Sequence, residues 1–116
     1  MSFSLQQARE LREQVLQQKK MQRKAHVDEF VSNSKSPEYV EAYLRKIITT
    51  HPEEHAYGLS ILDVVTNDWN DPDRDKIRSE VQEELVKKYG QLFEGCVISE
   101  LPRGNNAMAF HLTMRM

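Results

Sequence analysis

Residues 1–36 contain neither glycine nor proline, the two residues that most readily stop a helix. A stretch of that length without a breaker predicts one long helix. Leu5, Ala8, Leu11, Val15 and Leu16 recur at intervals of three and four, which places them on one helical face. The stripe then runs out, because continuing it reaches Lys19, Gln22, Arg23 and His26 before Phe30 and Val31 resume it. Ser4 suits the N-cap, and Glu10 and Glu13 lie toward the end where the helix dipole favours acids. The helix is expected from about Ser4 to about Val31, hence roughly 40 Å long. A compact body made from the remaining residues would be only roughly 30 Å across. One straight helix therefore overhangs its own domain. Either it bends near its Gln/Lys-rich middle, or it reaches a second molecule.

The chain divides into an arm and linker, 1–35, and a compact domain, 36–116. Formal charge divides the same way, +3 on the first part and −5 on the second, within an overall −2. Lys19, Lys20, Arg23 and Lys24 make a basic run with no acid between Gln14 and Lys24. At helical spacing this run holds two like-charged i, i+4 pairs, mildly unfavourable unless something anionic faces them. Such a run suits phosphates, an acidic protein surface, or plain solvent. Hydrophobic residues at 39% and charged ones at 29% are a globular balance, not that of a disordered chain. Apolar runs are too short to span a membrane, and the first residues lack the pattern of a secretory signal. A single cysteine, Cys96, forms no internal disulfide and fits a reducing, cytoplasmic setting.

Within the domain, Ser36-Pro37-Glu38 is a helix start: a capping hydroxyl, proline in the first turn and an early acid. Val40, Tyr43, Leu44, Ile47 and Ile48 form its apolar face, and Pro52 ends it. Leu59, Leu62, Val65 and Trp69 favour a further helix over about Leu59 to Asn67. Another helix is expected from Pro72 to Tyr89, with Ile77, Val81, Leu85 and Tyr89 inward and Gly90 as the left-handed residue after it. Met108–Met116 alternates as a strand, with Cys96–Leu101 as its expected partner, joined through a turn-rich connection that carries Arg103. The expected fold is α+β: a long N-terminal helix, three further helices and a C-terminal two-stranded antiparallel hairpin.

Motifs for chemistry are thin. His51-Pro52-Glu53-Glu54-His55 matches the H-x-x-E-H zinc-peptidase pattern, but Pro52 sits at a helix end, and a polar terminating loop explains the residues. Asp71, Asp73 and Asp75 mimic three calcium-loop positions, yet Lys76 and Gln82 stand where glycine and the bidentate Glu are required. Cys96 has no histidine near it in sequence, and the four glycines are isolated, so no nucleophile elbow or phosphate loop exists. Tyr39, Tyr43 and Trp69 fall on the apolar faces rather than forming a base-stacking set. No catalytic residue, metal or cofactor is expected.

The order of elements after residue 35 resembles that of winged-helix domains. The resemblance implies a recognition helix, here Asp73 to Lys88, and a wing turn carrying Arg103. That helix holds five acids and five bases, a poor match to phosphate. The function expected first is a small non-catalytic interaction or inhibitor protein whose arm docks on another chain, a second copy included. The alternative is a nucleic-acid-binding regulator with a winged-helix-like body. Lys19, Lys20, Arg23, Lys24 and Arg103 are the candidate binding residues for either.

Overall fold

The computed structural model describes residues 2–65, 74–102 and 107–116. Helix α1 spans Leu5–Ser32, α2 Pro37–Thr50, strand β1 Ala56–Val65, helix α3 Arg74–Gly90, strand β2 Val97–Pro102 and strand β3 Ala107–Arg115. The strands form one antiparallel sheet in the order β1-β3-β2. The α+β class is as expected, but the described residues hold three helices and three strands, not four helices and a hairpin. The predicted helix over Leu59 to Asn67 is strand β1 as far as Val65. Residues 66–69 lie outside the described residues, as do Pro72 and Asp73 of the predicted last helix.

A β-bulge explains the misreading. Ser60 pairs with His111 and Leu62 with Phe110, so Ile61 is an extra residue in β1. Leu59, Ile61 and Leu62 are all buried, so the bulge breaks the alternation of two and leaves Leu59 and Leu62 at a spacing of three. A strand with one bulge thus imitates a helical face. Another expectation fails at Gly90, which is the last residue of α3 and not left-handed. Among the described residues the left-handed backbone belongs to Gly95, at a φ of 82°, in the turn before β2.

The core lies against one face of the sheet. Leu59, Leu112 and Ile98 form a buried row across the three strands, while the next row, Ser60, His111 and Ser99, is half-exposed. Ile77, Val81, Leu85 and Tyr89 on α3 and Val40 and Leu44 on α2 belong to the same buried cluster. Tyr39 departs from expectation: it is 49% exposed, with the Lys35 ammonium 4.8 Å above its ring. α1 contributes its C-terminal end alone, through Val27 with Phe30 and Val31 packed beside it.

That end is stitched down. The Ser34 hydroxyl donates to the Val31 carbonyl at 2.6 Å and accepts from Lys88 Nζ at 2.7 Å. The Lys88 ammonium also reaches the Val31 carbonyl at 3.4 Å, where the helix dipole favours a cation. The Tyr89 hydroxyl donates to the Lys35 carbonyl, and the Lys35 N–H donates to Ile61 at the bulge, 2.8 Å away. Residues 32–35 join α1 to the body through these hydrogen bonds.

Candidate docking surface on the overhanging helix

α1 starts on a capping box: Ser4 Oγ accepts from the Gln7 N–H, and the Ser4 N–H donates to Gln7 Oε1. It then runs unbroken for 28 residues, about 42 Å at the helical rise. Two contacts fix its course beside α3. Arg23 Nε lies 2.8 Å from Glu80 Oε1, and Lys88 meets the Val31 carbonyl. Both pairs are separated by 57 residues, so the helices run parallel and in step. Subtracting that offset from Arg74, the first described residue of α3, puts it level with Gln17. Below that level, among the described residues, α1 has no neighbouring element.

The overhang carries the apolar stripe. Leu5 is 68% exposed, Leu11 52%, Leu16 51% and Val15 41%. The molecule is accordingly elongated, with extents of 75 × 31 × 19 Å and a radius of gyration of 19.2 Å. A compact chain of this length would have a radius of about 13 Å. The long helix runs unbroken and projects.

The basic run has a partner inside the molecule. Lys20, Arg23 and Lys24, with Val27 and Asp28, line one wall of a crevice of about 470 Å³ whose other wall is Glu80, Glu83 and Glu84 of α3. The side-chain exposures of the Arg23–Glu80 pair are 18% and 38%, so water screens it only in part. The crevice brings Lys20, Arg23 and Lys24 together, whereas Lys19 is exposed and outside it. Arg103 lies outside the described residues. Sequence reading missed the acidic wall, although Glu80, Glu83 and Glu84 at intervals of three and four are a visible match for a basic run of the same spacing.

The other candidates resolve into structure. His51 caps the C-terminus of α2, and residues 51–55 form a turn, so the two histidines do not share a helix face. The His51 carbonyl accepts from the Tyr57 hydroxyl, while His51 Nδ1 stands 3.8 Å from Glu53 Oε1. Asp71 and Asp73 lie outside the described residues, and Asp75 is 3.5 Å from Arg78 of its own helix. Among the described residues no group of His, Cys, Asp and Glu could hold a metal ion. Burial raises the pKa of the half-buried Cys96 thiol, a backbone hydrogen bond opposing it, which disfavours the reactive thiolate. No helix of the described residues is long and apolar enough to cross a membrane.

Comparison of the chain with protein-family models, curated proteins and solved structures finds no match.

Proposed function

We propose that this chain is a small, non-catalytic, cytoplasmic interaction protein, an inhibitor or regulator that acts by docking the overhanging half of α1 on another chain. One observation carries the reading: four large apolar side chains lie exposed on a helix that extends past its own domain. Scattered exposed hydrophobics are ordinary, but a stripe at helical spacing on an unsupported helix is the form in which amphipathic helices enter grooves. The hydrogen-bonded joint at Ser34 and Lys88 supports it too, because an arm held at its base has less conformational freedom to lose on binding. The test uses Leu11→Asp with Val15→Asp, substitutions at exposed sites that should leave the melting curve nearly unchanged. Proteins retained from a native lysate by the full chain should be lost by the variant. Retention of every one of them at equal level would defeat the reading.

A second reading is a nucleic-acid-binding regulator with a winged-helix-like body. What favours it is α3 standing directly before the antiparallel β2–β3 pair, an order in which a helix and a wing can meet duplex DNA. Against it weighs the commitment of Arg23 to Glu80 and the acidic wall beside Lys20 and Lys24. Titrating random duplex with the protein at rising salt separates the readings, since phosphate binding weakens steeply with salt.

A further inference from the structure

We infer that the chain which covers the overhang is a second copy of this one, its arm laid antiparallel along the first; this rests on the docking reading above. Three observations on α1 point to it. The first is length. Among the described residues, the stretch without a neighbouring element runs from Leu5 at the helix start to Leu16, just short of the level of Arg74, the first described residue of α3. An antiparallel arm set so that Leu5 faces Val15 of the second copy brings its own N-cap, Ser4, opposite Leu16. The two overhanging stretches then lie side by side over their whole length from Leu5 to Leu16, with Phe3 of each copy continuing past Leu16 of the other.

The second is the pattern of side chains. In that register Leu5 meets Val15 at both ends, and Ala8 meets Arg12 in the two layers between. A small residue opposite a long one lets the helices approach while the Arg12 stem lies on apolar surface and its guanidinium reaches water. The third is charge. A parallel pair would set the two basic runs side by side. The antiparallel pair moves Lys19 of one copy about 27 Å along the axis from Lys19 of the other, more than two Debye lengths at physiological salt. Four large apolar side chains per arm make a smaller interface than the standard one of about 800 Å² per partner. The dimer is consequently a concentration-dependent one, dissociating in about the micromolar range or above.

Sedimentation velocity of the full chain from about 5 μM to about 1 mM should show the mass rise toward twice that of the monomer, within the range set by such an interface. Leu5→Asp with Val15→Asp should hold it at the monomer. A nitroxide on Lys19→Cys, in a Cys96→Ser background shown by its melt to be folded, reads the direction by pulsed electron-electron resonance. An antiparallel pair gives a distance of roughly 30 Å and a parallel pair roughly 10 Å, from the helix rise and ordinary interaxial spacing. A monomer at every concentration, a short distance, or a dimer indifferent to the two substitutions overturns the inference. The docking reading fails separately, if the same substitutions change neither self-association nor the binding of any other protein.

Discussion

At Tyr89 one side chain serves two parts of the molecule, its ring sealed in the core and its hydroxyl bonded to the Lys35 carbonyl. Burial raises its phenol pKa above the ordinary value of 10.0, with the Ser34 hydroxyl opposing the shift. The neutral form is the one the fold favours. Its stabilisation is therefore full below pH 10 and is lost as pH rises through the raised folded value. Replacing Tyr89 with Phe should cost about 1–2 kcal/mol at neutral pH, because the Lys35 carbonyl loses its donor. The variant should also lose stability less steeply between neutral and strongly alkaline pH, as followed by urea melts across that range. A second residue-scale prediction concerns Arg23 and Glu80. Because both are partly exposed, a double-mutant cycle with Arg23→Gln and Glu80→Gln should give a coupling of about 0.5–1 kcal/mol. A zero coupling would mean that the crevice does not hold the arm.

Among the elements, β3 bears the most. It is the central strand, bonded to β1 on one side and β2 on the other, and Phe110 and Leu112 on it are fully buried. Leu112→Ala should cost about 2–5 kcal/mol, and removal of Phe110 to Met116 should abolish cooperative melting, since a domain of this kind holds only about 5–15 kcal/mol. Calorimetry of the two variants checks this. Beside it, Gly58 is where β1 passes close to its neighbour. A Cβ there would lie 3.1 Å from the Leu112 carbonyl oxygen and 3.2 Å from Thr113 Oγ1. Gly58→Ala should therefore destabilise by about 1–3 kcal/mol, the range for overpacking, measurable as a shift in the urea midpoint. The inward faces of α2 and α3 were legible because their periodicity is unbroken. The face of β1 was not, because the bulge at Ile61 shifts its register within one strand, and a pattern of two with one insertion reads as a pattern of three.

For the whole molecule, elongation is the measurable property. Small-angle scattering at low concentration should return a radius of gyration close to 19.2 Å. A chain shortened to begin at Gln17 should fall toward the ~13 Å of a compact domain while keeping its melting temperature, because no core residue is removed. An unchanged radius in the shortened chain would mean that the arm folds back in solution. Much of this shape was determined by the sequence alone. The absence of glycine and proline through Ser36 fixes a helix longer than the body can cover, and the break in its apolar stripe marks where support ends. The inward residues of α3 and β3 follow from local spacing in the same way. Tertiary structure decided what local spacing does not carry. The third strand of the sheet depends on pairing between residues some fifty positions apart, such as Leu59 with Leu112. The fate of the basic run depends on α3 arriving beside α1 in parallel, which turns Lys20, Arg23 and Lys24 toward Glu80, Glu83 and Glu84. A charge run states its own sign. Which surface answers it is set by the packing of elements far apart in the chain, and here much of the answer lies inside the molecule.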